Sequence, residues 1–425
     1  MKKPRFSLGS IVMLLATLFV VIGMAAFLTL IAGDGVYERT RAVFGLLADQ
    51  TEEATATPTG VPTASPMPEI TEGPTPSPSP TATPALEPKR LTIAAAGTIY
   101  APKTVRESVQ EGTDHYDFMT TFEGLSGALE NADLSIVTLE TLAAGREKGY
   151  GNYNTTPQIL DALRAVGVNF VSLATERALD KGYDGLDITA SELTSRSIGF
   201  AGVYPDGTNT GAAMANIDGV QVAVLAYTYG LSDEGRERTR DDSRGVVAMM
   251  DSQRVVRDIT QARVDGANIV VVLPHWGTKN RAQTPDTVQM MAREMAQAGA
   301  DVIFGTHPNV AQGVERLQTV RSDGLTYETV VCYSLGCLLT DARDSENTAG
   351  MAVRLEMTYD PATRRASPGM LEIVPLYIAR QREDSGIVYR VVDAENEQAI
   401  QSLTITEQAA AAQAVERVKN ATQEE

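Results

Sequence analysis

Cysteine is nearly absent: Cys332 and Cys337 are the only two, and they form no Cys-x-x-Cys pair. Two cysteines cannot build a disulfide framework, and without the paired spacing a structural zinc finger is excluded. A Cys332–Cys337 bridge would need a turn at Gly336, because five positions along an extended strand hold the two residues too far apart. Histidine is as scarce, with three residues, and tryptophan is single. Basic charge is also short, Lys and Arg totalling 36 against 54 Asp and Glu, and Lys2, Lys3 and Arg5 use up three of the 36 at the start. So acidic a body is a poor partner for a phosphate backbone, which argues against nucleic acid as a partner. No repeat of solenoid or propeller period is visible. What remains is apolar: 43 % of the 425 residues, enough for at least one large core and too much for a wholly disordered or collagen-like chain.

The N-terminus indicates location. Basic residues 1–10 precede an uncharged run, 11–33, of 23 residues. As a helix this run would extend about 34 Å, enough to span a bilayer. A cleaved signal peptide usually has an apolar core of about 7–15 residues and a small-residue cleavage site. Here the run is longer and Ala32-Gly33 is a weak site, so we expect an uncleaved signal anchor, with cleavage as the rival reading. Basic charge on the N-terminal side keeps residues 1–10 in the cytoplasm and puts the rest outside. A single-pass membrane protein with an extracytoplasmic C-terminal domain is therefore expected. Next comes a linker, 34–90. Between Thr51 and Arg90 it holds ten of the chain's 20 prolines and twelve Ser or Thr. Such a composition favours extended polyproline II and cannot pack a core, so it reads as a disordered spacer.

From Leu91 short apolar runs alternate with helical stretches. Strands are expected at Leu91–Ala96, Leu134–Thr138, Phe170–Ala174, Val220–Tyr227, Ile269–Leu273, Val302–Gly305 and Thr329–Ser334. Helices are expected at Phe118–Glu130, Pro157–Val166, Leu186–Ser197, Ser252–Asp265 and Thr284–Ala298. This alternation indicates a layered α/β domain, 91–380. Met351–Tyr359 and Gly369–Leu376 read as strands without intervening helices, an antiparallel portion closing the sheet. The extension 381–425 is expected to be helical, on its Ala-, Glu- and Gln-rich tail.

In α/β sheets ligands bind beyond the carboxyl ends of strands. Thr98 follows the first expected strand, Thr138-Leu139-Glu140 the second, and Thr175-Glu176-Arg177 with Asp180 the third. The fifth leads into Pro274-His275-Trp276-Gly277, the sixth into Thr306-His307-Pro308-Asn309, and the seventh into Ser334-Leu335-Gly336-Cys337. Two of the three histidines and the lone tryptophan thus cluster at equivalent places. The third, His115, lies in a polar stretch and reads as a surface residue.

These blocks resemble the CapA capsule-synthesis family, the PGA_cap domain. Asn131-Ala132-Asp133 through Glu140 is similar to its "aDl…NLE" stretch, and Val171–Ala174 with Leu179–Gly182 to "vslAnNHalDyG". His275-Trp276-Gly277 matches "HWG", Ala298–Pro308 resembles "aGADviGhHPHv", and Tyr333–Gly336 resembles "YSLGN". The resemblance implies a calcineurin-like, metallophosphoesterase-type sandwich of mixed sheets flanked by helices. It also implies a part in synthesis, export or anchoring of poly-γ-glutamate, with capsule synthase subunits as possible partners.

The resemblance further implies a metal site, and the chain departs from it. Glu140, His275 and His307 stand at expected ligand positions. Thr98 replaces an Asp, Glu176-Arg177 an Asn-His pair, Asn309 a His, Thr306 a further His, Lys279 an acidic residue and Cys337 an Asn. A guanidinium cannot ligate a cation, and it repels one. The expectation is therefore no cofactor, with Arg177 in a metal's place and paired to Glu140 or Glu176. The alternative is one divalent ion, Mn or Zn, held by Glu140, Glu176, His275 and His307. In that case Glu140, His275 and His307 are the catalytic residues of a hydrolase or transferase acting on an amide or phosphoester. Otherwise Arg177, Lys279, Asn309, Glu176, Thr98 and Trp276 are expected to line a locally cationic cleft. That cleft would bind an anionic surface polymer without catalysis.

Overall fold

The strand β1 (Lys89–Ile99) organises the molecule. Leu91, Ile93 and Ala95 bury on one face and Ala94 and Ala96 on the other. Side chains alternate along a strand, so an element buried on both faces has packed layers above and below it. The structure is a computed structural model that describes residues 87–205, 207, 211–238, 247–384 and 386–423. The expected tail 1–10, anchor 11–33 and nearly all of the linker lie outside the described residues. Among the described residues no helix is long and apolar enough to cross a membrane.

β1 runs parallel to β2 (Leu134–Leu139), which pairs with β3 (Phe170–Ser172), which pairs with β4 (Gly199–Ala201). The chain then builds a second sheet. Its strands are β5 (Ala213–Ile217), β6 (Val220–Thr228), β7 (Ile269–His275), β8 (Val302–Phe304), β9 (Val314–Val320) and β10 (Thr326–Cys332). Their order is β5-β6-β7-β8-β10-β9, with β6, β7, β8 and β10 parallel. β11 (Cys337–Leu339) returns to the first sheet beside the end of β1. β12 (Ala349–Asp360), β13 (Arg365–Glu383) and β14 (Gly386–Asp393) then extend it antiparallel, as the sequence led us to expect.

Helices α1 (Gln158–Ala165) and α2 (Gly182–Ser195) belong to the first sheet's half, and α3 (Ser252–Val264) and α4 (Asp286–Ala298) to the second's. Period-two alternation explains the layers. Val220, Val222, Val224 and Ala226 of β6 meet Leu91, Ile93 and Leu134 in the core between the sheets. Ala223, Leu225 and Tyr227 face the other way, onto Val255 and Ile259 of α3 and Ala292 and Met295 of α4. Asp251 caps α3 by accepting a hydrogen bond from the Arg254 backbone N–H. The fold is thus a mixed α/β sandwich of two sheets flanked by helices.

Two expectations need correction. Phe118–Glu130 is not one helix but short turns, Met119–Phe122, Glu123–Leu125 and Ser126–Leu129. Gly124 presses its backbone against β14 there; a Cβ would stand 2.3 Å from the Val391 carbonyl oxygen. The boundary at 380 falls inside β13, and β14 lies in the stretch expected to be helical. Only its last part is helical, Glu397–Gln401 and α5 (Ile405–Thr422), whose Ala411 and Ala414 pack against Tyr377 of β13. Cys332 buries between the sheets and Cys337 on the first sheet's opposite face, both as free thiols, held apart as their spacing along the chain led us to expect.

Candidate functional site

The two sheets bring the carboxyl ends of their parallel strands together. β2 delivers Glu140, and the loop after β3 delivers Glu176, Arg177 and Asp180. From the second sheet β6 leads to Tyr229, β7 ends on His275 and then reaches Lys279, and the turn after β8 supplies Thr306, His307 and Asn309. Lys279 joins the halves: its Nζ donates to Glu176 Oε1 at 2.6 Å and lies 4.0 Å from Glu140 Oε1.

His307 and Asn309 take up left-handed backbone, with φ of 99° and 65°. That region is costly for residues with a Cβ, least so for Asn. The strain turns the His307 ring inward, where its Nδ1 lies 3.2 Å from His275 Nε2. His275 Nδ1 is in turn 3.2 Å from Thr306 Oγ1. A neutral imidazole has one donor and one acceptor, so this file of three groups can be satisfied without a charge. Burial holds His275 well below the usual histidine range, helped by His307 and Lys279, and lowers His307 to about 4. Both are neutral at pH 7. Tyr229 packs on His307 with ring centroids 4.5 Å apart.

The carboxylates differ. Burial alone would raise Glu176, but hydrogen bonds from Lys279 and the Tyr229 hydroxyl bring it below its ordinary value. Burial raises Asp180 despite hydrogen bonds from Ser232 and Arg177. Glu140 is raised by burial to about 7, further by Glu176, against a lowering from Lys279. Among the described residues nothing donates a hydrogen bond to its carboxyl group. A cavity of about 220 Å³ opens over it, bounded also by Tyr100, Tyr153, Lys279, Asn280, Asn309, Cys337 and Asn347.

Arg177 pairs with Glu176 at 3.1 Å, one of the two partners expected, and with Asp180 at 3.4 Å rather than Glu140. Its guanidinium lies 3.9 Å from the centroid of the Tyr153 ring. Both cations are thus engaged by carboxylates and both imidazoles are neutral. The cleft is close to charge-balanced, not cationic as expected.

Trp276 is also corrected. It is 2 % exposed, packs in the helix-side core and donates its Nε1–H to the Tyr333 carbonyl oxygen at 2.9 Å, so it lines no cleft. Thr98 lies at the site but is buried, its hydroxyl without a partner. Burial raises the Cys337 thiol, which leaves it protonated and unsuited to nucleophilic attack. His115 is on the surface, 3.6 Å from Glu111. The sequence reading missed Tyr229, Tyr153, Tyr100 and Asn347. Tyr229 and Tyr100 had a signal, since each follows the carboxyl end of a strand, β6 and β1; Tyr153 and Asn347 come from loops without one.

The donor set does not fit a dinuclear metal centre. Two ions about 3.5–4 Å apart need several anionic or imidazole ligands. Here the Glu176 and Asp180 carboxylates are held by an ammonium, a guanidinium and two hydroxyls. Among the described residues no group of three or more His, Cys, Asp or Glu is arranged to hold a metal ion.

A profile of the family described as bacterial capsule synthesis protein PGA_cap matches residues 92–342. The chain is 24 % identical over 306 residues to the capsule biosynthesis protein CapA of Bacillus anthracis, across 69 % of this chain and 68 % of that one. It is 25 % identical over 226 residues to the PGA biosynthesis protein CapA of Bacillus subtilis strain 168, across 53 % of this chain and about half, 54 %, of the relative. A crystal structure of a calcineurin-like phosphoesterase from Bacillus subtilis superposes with a TM-score of 0.40 at 14 % identity, over 79 % of this chain and 99 % of that one. With the profile matching more than half of its length, the chain belongs to the bacterial capsule synthesis protein PGA_cap family.

Proposed function

We propose that this chain is a membrane-anchored, extracytoplasmic protein of capsule or surface-polymer biosynthesis that binds or scaffolds a polymer of the poly-γ-glutamate kind without catalysing a reaction. Its relatives are named for capsule and PGA biosynthesis, which supports the pathway. The uncharged run 11–33 and the proline-rich spacer support the location, and capsule synthase subunits in the same membrane are the natural partners.

The non-catalytic part rests on one observation. The Lys279 ammonium reaches from the second sheet to Glu176 at 2.6 Å and stands 4.0 Å from Glu140. A tethered cation therefore sits among the carboxylates that a divalent ion would need. With the cleft charge-balanced, polymer recognition falls to the amides of Asn280 and Asn309 and to Lys279 at the mouth.

The second reading is a metal-dependent hydrolase with a mononuclear site. The neutral His275–His307 contact favours it, since uncharged imidazoles are the form that ligates metal. The test uses the full-length protein in detergent with poly-γ-glutamate at physiological ionic strength. The proposal expects saturable binding, weakened by Lys279→Ala, and unchanged polymer length on prolonged incubation. Polymer shortening that depends on added manganese or zinc and vanishes in His275→Ala would establish the second reading instead.

A further inference from the structure

The cavity beside Glu140 is asymmetric in its chemistry. Its floor is Glu140, 5 % exposed, with Asn347, 9 % exposed. Both present oxygen acceptors, and both lack a donor: no described residue hydrogen-bonds the Glu140 carboxyl, and Asn347 Oδ1 is buried without a partner. Tyr100 and Tyr153 form one wall, their ring centroids 5.0 Å apart. At the rim stand Lys279, with a partly exposed side chain, and Asp341, which accepts a hydrogen bond from Thr104 at 2.6 Å.

Two acceptors without a hydrogen-bond donor, one of them a carboxyl group whose cation Lys279 stands 4.0 Å off, call for a cationic donor. A primary ammonium carries three N–H groups and no acceptor, so it complements such a floor. The rim lysine calls for an anion next to it. At about 220 Å³ the cavity falls below the roughly 300–1,000 Å³ of sites for drug-sized ligands, and so has room for one residue rather than a run of chain. The complementary ligand is an ammonium with a carboxylate one carbon away.

We propose that this cavity binds the amino-terminal residue of an amide-linked acidic polymer, its ammonium on Glu140 and Asn347 and its α-carboxylate toward Lys279. This rests on the polymer-binding reading above and sharpens it to a chain end. The linkage matters. In a chain joined through side-chain carboxyl groups, the first residue keeps both its ammonium and its α-carboxylate. In an α-linked chain that carboxylate is consumed in the amide. The geometry therefore selects a γ-linked amino end over an α-linked one.

The test is calorimetric titration of the full-length protein in detergent with four probes: a γ-linked glutamate oligomer, its N-acetylated form, an α-linked oligomer of equal length, and free glutamate. The proposal expects the free-ended γ-linked oligomer to bind at least about tenfold more tightly than the acetylated and α-linked oligomers, the scale expected for a charge-assisted hydrogen bond, and more tightly than free glutamate, which carries a γ-carboxylate where the chain has a neutral amide. Glu140→Gln should abolish the preference while leaving weak binding of the acetylated oligomer. Asn347→Leu serves as a second floor variant, so that a misfolded Glu140→Gln does not decide the result. Equal binding of free and acetylated oligomers would overturn end recognition and leave polymer binding standing. Equally tight binding of free glutamate would replace the chain end with the free amino acid. A preference that survives both variants would overturn the assignment to this cavity. No binding of any probe, or of long polymer, would overturn both readings.

Discussion

Replacing Glu140 with Gln should make stability respond differently to pH. In the unfolded chain the group titrates at its ordinary 4.5; in the folded protein burial moves it to about 7. A carboxyl raised on folding holds its proton more tightly in the native state. Its contribution is therefore neutral below pH 4.5 and becomes a penalty as pH rises to 7, constant beyond that. The shift corresponds to about 3 kcal/mol at roughly 1.4 kcal/mol per pKa unit. Gln cannot ionise. Whatever fixed offset the amide brings, the stability of Glu140→Gln relative to the parent should improve by about 3 kcal/mol between pH 4.5 and pH 8. His275 and His307 work in the opposite sense. Lowered on folding, they cost nothing above the unfolded value of 6.5 and withdraw stability as pH falls toward 4. They are common to both proteins and cancel in the difference. The assay is urea denaturation across this range, followed by the single tryptophan, Trp276, which is buried in the native state. A difference independent of pH would refute the reasoning, because it would mean that Glu140 is hydrated or paired at neutral pH.

Further predictions follow from the packing. Lys279→Met removes a partly exposed charge-assisted hydrogen bond and should cost about 1 kcal/mol in chemical denaturation. The same change should raise the Glu140 pKa further, read by its carboxyl signal in NMR, since Lys279 now lowers it. Trp276→Ala should cost about 3–5 kcal/mol, the range for emptying a large buried aromatic site, measured by its melting transition. Gly305→Ala should abolish soluble expression, because a Cβ there would stand 2.1 Å from the Tyr333 carbonyl oxygen and 2.4 Å from Trp276 Nε1. Cys332 and Cys337 are buried, the former thiol pushed up to about 12, so neither should react with a disulfide reagent at pH 8 until urea unfolds the chain.

The parts of the fold visible in the sequence were those with strong periodicity or bulk. The short, β-branched apolar run Ile269–Leu273 was legible as a buried strand, and the amphipathic Ser252–Asp265 as a surface helix. Strands without a continuous apolar run escaped: β4 and β11 have three residues each, and β5 and β9 are edge strands only partly buried along their length, whereas the equally short but apolar β3 and β8 were visible. β14 was hidden by its place near a tail rich in helix formers. At the site, the ends of strands gave Glu140, Glu176, His275 and His307 their positions in advance. Pairing was less legible. Arg177 was expected to reach Glu140 or Glu176 and takes Glu176; Lys279 stands beside Glu140 instead, and the second partner, Asp180, lies three residues on in the same turn and was not foreseen. Nor could spacing show that Trp276 points away from the cleft. Alternation decides it: His275 faces the site, so the next residue faces the helices.

The central claim is that tethered cations occupy the space among the site's carboxylates that a divalent metal would require. The most direct measurement is elemental analysis of the full-length protein, purified in detergent without chelator, incubated with manganese and zinc, and desalted. The account predicts metal far below one ion per chain and no change in melting temperature on adding either ion. One tightly held ion per chain, lost in His275→Ala or His307→Ala, would contradict it.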